Sequence, residues 1–197
     1  MRFGTTDEHA LIRNSVTIEL PQGRPHFGAC ASLPIIRPTS MSEHKARITW
    51  KRNGPDFLKG KYSREHTWTF DGGVTVQASS SPSVVPAPFS NANAIDPEEA
   101  FVASLSSCHM LTYVWLASRE GFVVDSYEDD AVGTMAKNER GVPWVDEVTL
   151  RPKITYSGEK LPGPEDEERL HHAAHEQCFI ANSVKTDVKV AAVAQHA

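Results

Sequence analysis

The segment Asp96-Pro97-Glu98-Glu99 and the helix-compatible run that follows it to Gly121 constrain this chain more than any other feature. Asp96 can accept hydrogen bonds from the first free backbone N–H groups, and Pro97 suits the first helical position. Glu99, three residues after Asp96, completes a capping-box pattern. Gly121 supplies the stop, so the spacing predicts a helix to about Glu120. Phe101, Val102, Leu105, Leu111, Val114, Trp115 and Leu116 put apolar side chains on several of its faces. A helix apolar all round is a buried one, so the rest of the domain has to be assembled about it.

The flanking segments read mainly as strands. Lys59 to Phe70 carries Tyr62, Trp68 and Phe70, then Asp71-Gly72-Gly73 leads into Val74-Thr75-Val76-Gln77-Ala78. Asp-Gly between β-prone runs signals a hairpin. The prolines of the Ser/Pro stretch from Ser79 to Ser90 break ladders and helices alike, so it reads as a loop. Phe122 to Lys137 predicts one strand, Asn138 to Gly141 a turn, and Val145 to Tyr156 a second strand with a slip in phase at Pro152. The acids after Pro164 favour a helix start, where the macrodipole is positive, and that helix carries Leu170, Ala173, Ala174 and Cys178 along a stripe. Val184 to Val190 alternates as a last strand. The order βββ–α–ββ–α–β predicts an α+β domain, with antiparallel sheets packed around a long buried helix.

Residues 1–40 differ from the rest. Pro21, Pro25, Pro34 and Pro38 interrupt them, and no helical or strand period is sustained. The best apolar stretch, Gly28 to Ile36, is late, short and broken by Pro34, unlike a secretory signal; Asp7, Glu8 and Glu19 argue against a transit peptide. The expectation is a disordered extension over 1–40, with Cys30 an idle thiol, and a domain over 41–197. A net charge of -5 offers no basic patch for nucleic acid or an anionic membrane surface, and no run of about 18 apolar residues is uninterrupted. Three cysteines, an odd and small number, do not make a disulfide scaffold. The chain reads as a soluble cytoplasmic protein whose thiols are put to chemical use.

Two of those thiols lie among small and apolar neighbours: Ser106-Ser107-Cys108 in the predicted long helix, and His175-Glu176-Gln177-Cys178-Phe179 at the end of the second. Buried cysteines are often simple core fillers. A pair also suits peroxide chemistry, in which a thiolate is oxidised to a sulfenic acid and a second thiol closes a disulfide. His171, His175 and Cys178, at i, i+4 and i+7, offer a third reading, a zinc site with Cys108 or His109 as a further ligand. A fourth is a small-ligand carrier with inert thiols.

Asp96-Pro97-Glu98, followed ten residues after the glutamate by Cys108, and Ala174-His175-Glu176-Gln177-Cys178, 70 residues after Cys108, together resemble the two motifs of the OsmC/Ohr family. These are the osmotically inducible and organic hydroperoxide resistance proteins, and the resemblance extends over roughly residues 46–190. It implies an intertwined homodimer that reduces organic hydroperoxides without a cofactor or metal. Cys108 would be the peroxidatic cysteine, Cys178 the resolving one, and an external dithiol, for example a dihydrolipoyl group, the reductant. Glu98 and an arginine of the early hairpin, best matched by Arg64, would polarise the site. The sequence departs from the family pattern at Phe179, where proline is common, and at His109, where an apolar residue is expected.

One geometric constraint follows. Ten helical residues rise about 15 Å, and their angular spacing puts Glu98 well off the Cys108 face. A straight helix therefore requires a partner subunit to bring Glu98 to the site. Phe101, Leu105 and Phe179 are expected to favour organic peroxides over hydrogen peroxide by offering apolar surface. Asp129, Asp130, His44, His66 and His172 read as solvated surface groups.

Overall fold

A computed structural model describes residues 42–54 and 56–191, so the expected extension over 1–40 lies outside the described residues. The chain runs β1 (Ala46–Thr49), β2 (His66–Phe70), β3 (Thr75–Ala78), α1 (Pro97–Arg119), β4 (Val123–Asp129), β5 (Val132–Lys137), β6 (Pro143–Leu150), β7 (Pro152–Ser157), α2 (Pro164–Gln177) and β8 (Asp187–Val190). The fold is α+β, with a long helix against small sheets, as the sequence predicts.

α1 begins as expected. Asp96 Oδ1 accepts the Glu99 N–H at 2.7 Å, and Glu99 Oε2 accepts the Asp96 N–H at 3.1 Å. The helix ends where Gly121 takes φ +83°, which lets the Phe122 N–H reach back to the Ala117 carbonyl at 3.0 Å. The hairpin also forms: β1, β2 and β3 make one antiparallel sheet, with Trp68 opposite Val76 across β2 and β3.

The middle of the chain is cut differently from the expectation. The two strands predicted over 122–156 are four. β4 pairs only with β7, whereas β5 and β6 form a hairpin in another sheet. The break at Asp130-Ala131 and the break at Arg151 let the chain change sheets while the alternation runs on, which is why periodicity alone merges the pieces. The pairing is also mixed, since β8 lies parallel to β6 with Val188 beside Val148.

α1 buries one stripe, Leu105, His109, Tyr113 and Ala117, each four residues from the last. Its first half packs Leu105 with Val148 and Leu150 of β6. Its second half packs Tyr113 and Ala117 with Phe122, Ile154, Leu170 and Ala174. Full burial of a leucine such as Leu105, 1% exposed, contributes about 1.5–3 kcal/mol. Another face of α1 is open within one chain: Leu111 is 64% and Trp115 54% exposed. The expectation of a helix buried on every side therefore holds for one face only. By length and composition α1 could also cross a bilayer, a property hidden from a search for uninterrupted apolar runs. Here it packs against α2 and the sheets instead.

Candidate active site

Cys108 and Cys178 come together where α1 passes the end of α2. Cys178 is the residue that caps α2, with its backbone already extended (φ −68°, ψ 113°). Its thiol is 1% exposed and engages the thiol of Cys108, and the Ala181 N–H donates to its sulfur at 3.4 Å. Burial pushes the Cys178 thiol up to about 11, and the contact with Cys108 adds to that rise, against the lowering effect of the Ala181 N–H. Both cysteines are free thiols.

The turn that carries Cys178 is held from outside the helix. Asn182 Nδ2 donates to the carbonyls of Glu176 and Cys178, both at 2.9 Å, and Ser183 Oγ donates to the Phe179 carbonyl at 2.7 Å. These bonds satisfy carbonyls that the end of α2 leaves without a helical partner.

Cys108 is half-buried and opens on a groove of about 850 Å³, walled by Ser104, Leu111, Trp115, Gln177, Phe179 and Asn182. Phe179 serves this surface as expected, being 83% exposed. Leu105 does not, because it points into the core, and Phe101 packs beside it. The apolar surface next to the thiol comes instead from Leu111 and Trp115, three and seven residues after Cys108 and so on its side of the helix.

Glu98 and Arg64 lie elsewhere. α1 is continuous from Pro97 to Arg119, and Glu98 faces a separate groove of about 780 Å³ with Glu99, Ser106, Tyr127 and Asp129. Asp129 there accepts from Ser106 Oγ at 2.5 Å and from the Arg151 N–H at 2.6 Å, so it is a structural acceptor rather than a solvated acid. Arg64 belongs to the hairpin side. Its Nη1 donates to the carbonyls of Gly60 (2.8 Å) and Tyr62 (2.5 Å), and its guanidinium lies 3.8 Å from the Tyr62 ring centre. His66 is not idle either: it bonds the Arg64 carbonyl at 2.7 Å and accepts from Trp68 Nε1 at 2.8 Å, fixing the backbone at Arg64. Within one chain neither Arg64 nor Glu98 lines the Cys108 groove.

Among the described residues no three His, Cys, Asp or Glu side chains gather in a metal-binding arrangement. The helical spacing of His171, His175 and Cys178 fails because Cys178 has left the helix, and because His171 turns inward to His109. Their rings stack with centres 5.4 Å apart, and His109 Nε2 meets His171 Nδ1 at 3.1 Å. Next to them Tyr113 lies on His171 (4.3 Å between centres), and its hydroxyl meets that of Tyr156 at 2.6 Å. Sequence reasoning missed this buried polar chain. Its only signal is a histidine in the apolar stripe of α1.

A pair of thiols at a helix–helix contact, one buried and one opening on an apolar groove, defines a dithiol-site protein of mixed helix and sheet. The family model described as OsmC-like protein matches residues 90–192. An OsmC-like protein of unknown function from Vibrio cholerae is 51% identical, with a TM-score of 0.76 over 78% of this chain and 100% of that one. The fold also matches an organic hydroperoxide resistance protein OsmC from Legionella pneumophila (17% identity, TM-score 0.57, 78% and 98% of the two chains). It matches the organic hydroperoxide resistance protein OhrB of Bacillus subtilis as well (21%, 0.52, 76% and 98%). No curated protein matches the chain. This chain belongs to the OsmC family.

Proposed function

We propose that the chain is a two-cysteine peroxidase for organic hydroperoxides, acting as a homodimer in a reducing compartment such as the cytoplasm. The observation that carries this reading is the engagement of the Cys108 and Cys178 thiols beside a groove lined by Leu111, Trp115 and Phe179. The Cys108 thiolate attacks the distal oxygen of ROOH, the O–O bond breaks, and ROH leaves after taking a proton. Cys108 is thereby oxidised by two electrons to the sulfenic acid. The Cys178 sulfur then attacks the Cys108 sulfur, its proton leaves with the hydroxyl as water, and a disulfide forms. An external dithiol restores both thiols by exchange and is itself oxidised to a disulfide.

The partner subunit supplies Arg64 and Glu98 in this reading. The straight α1 and the exposed Leu111, Val114 and Trp115 favour it, since a single chain leaves the apolar face open and keeps Glu98 about 15 Å along the helix from Cys108. The test is dithiothreitol-dependent consumption of cumene hydroperoxide and of hydrogen peroxide. The wild type is expected to prefer cumene hydroperoxide, and Cys108→Ser to consume neither. Equal rates for wild type and Cys108→Ser would overturn the proposal.

A further inference from the structure

The two helices that carry the cysteines meet deep in the fold at a polar contact, His109 with His171. His109 directly follows Cys108, and its side chain is 1% exposed; His171 stands two turns before Cys178 and is 6% exposed. Their ring nitrogens are 3.1 Å apart and the rings lie within 12° of parallel, so bond and stacking fix both the spacing and the rotation of α1 against α2. α1 and α2 also share apolar packing through Tyr113, Ala117, Leu170 and Ala174, which tolerates sliding better than a directional bond does, and Arg169 of α2 bonds both carboxylate oxygens of Glu120 (2.5 and 2.6 Å) at the far end of α1 from Cys108.

The tautomer follows from the surroundings. His109 Nδ1 is buried and has no partner. If it carried the proton, a buried donor would be left unsatisfied, at greater cost than a bare acceptor. The arrangement consistent with the fold has His109 Nε2–H donating to His171 Nδ1. His171 also lines a groove with Glu167, His172 and His175.

We propose that the His109–His171 bond is a positioning device for the resolving step: it holds the end of α2 so that Cys178 faces Cys108 once the latter is oxidised. The inference rests on the peroxidase reading for its physiological meaning. Its geometric content, that the bond governs how fast the two sulfurs join, stands apart from the choice of oxidant. The bond requires a neutral His171, whose Nδ1 accepts, and it is lost when both rings carry a proton on the facing nitrogens. Burial holds both at about 4, His175 further lowering His109, and Asp129 works in the opposite direction. The charged or titratable groups facing the pair are His175 of α2, Asp129 of β4 and Tyr113 of α1. Acid that protonates the pair replaces the bond with repulsion and frees α2 to shift.

The experiment compares wild type, His109→Leu and the double variant His109→Gln/His171→Asn, whose amides can rebuild the same bond. Stopped-flow measurement separates Cys108 oxidation by cumene hydroperoxide from the closing of the disulfide. Diamide, a thiol oxidant that needs no peroxidase activity, gives a second measure of closure. His109→Leu is expected to close the disulfide about tenfold more slowly, the order of effect for losing one buried hydrogen bond, while the oxidation step stays within about twofold. The Gln/Asn variant is expected to recover closure, and the ratio of wild-type to Gln/Asn closure rates to fall between pH 7 and pH 4. Unchanged closure in His109→Leu, or equal slowing of both steps, overturns the proposal. A wild type inert to cumene hydroperoxide but quick to close with diamide sinks the peroxidase reading and leaves the positioning role standing. If His109→Leu does not fold, the pH ratio decides: a flat ratio overturns the proposal.

Discussion

Acid should destabilise this fold through His109 and His171 in particular, and the size of the effect can be worked out. Both imidazoles ordinarily titrate near 6.5 and are held at about 4, chiefly because burial denies the charged ring its water. His175 beside His109, and His109 beside His171, lower them further. Between those two values the unfolded chain binds more protons than the folded one. Stability is therefore complete above about pH 6.5 and falls as the pH drops toward 4. At pH 5 the unfolded imidazole is almost fully charged and the folded one barely so, which costs about 2 kcal/mol per histidine, or up to about 4 kcal/mol for the pair. Urea unfolding at pH 7 and pH 5, at one protein concentration, measures the loss. The same measurement on His109→Gln/His171→Asn removes these two titrations while leaving every carboxylate in place. The expected result is a pH-dependent loss smaller in the variant by up to about 4 kcal/mol. Equal losses in the two proteins would refute the argument and move the acid sensitivity elsewhere.

Other outcomes follow from single contacts. A Cβ on Gly133 would stand 2.6 Å from Val102 Cγ2 and 3.4 Å from Val145 Cγ1, so Gly133→Ala should lower stability by about 1–3 kcal/mol in urea unfolding. Leu105→Ala empties a fully buried site against Val148 and Leu150 and should cost about 3–5 kcal/mol. Trp115→Ala should raise KM for cumene hydroperoxide while leaving the rate with hydrogen peroxide unchanged, because the indole walls the groove that would take the organic tail. If Arg64 acts across a dimer, mixing inactive Cys108→Ser with inactive Arg64→Ala should restore about a quarter of wild-type activity, the share of sites that random pairing makes complete. No recovery on mixing would place Arg64 and Cys108 in one subunit or take Arg64 out of the site.

The parts of the fold set by local chemistry were legible in the sequence. Asp96, Pro97 and Glu99 cap α1 through their own backbone neighbours, and Asp71-Gly72-Gly73 turns β2 into β3. What escaped depends on distant partners. β4 and β5 continue one alternation but face different sheets, a choice made by β7 and β6 rather than by residues 122–137. The parallel contact of β8 with β6 cannot be read from the alternation of Val188 and Val190, since parallel and antiparallel pairing impose the same period. In the candidate site, the spacing of motifs pointed to Cys108 and Cys178, and the rise of a straight helix separated Glu98 from Cys108 in one chain, where Glu98 lines a different groove. The helical spacing of His171, His175 and Cys178 misled because α2 ends one residue before the cysteine. His109 looked like a departure from a pattern. Only its contact with His171, 62 residues later, shows what it does for the packing.

The most direct test of the account is peptide mapping without reductant after one equivalent of cumene hydroperoxide. A Cys108–Cys178 disulfide that is absent in Cys108→Ser, with a Cys108 sulfenic acid trapped in Cys178→Ser, is the predicted result. Free, unmodified thiols at both positions after that treatment would contradict it.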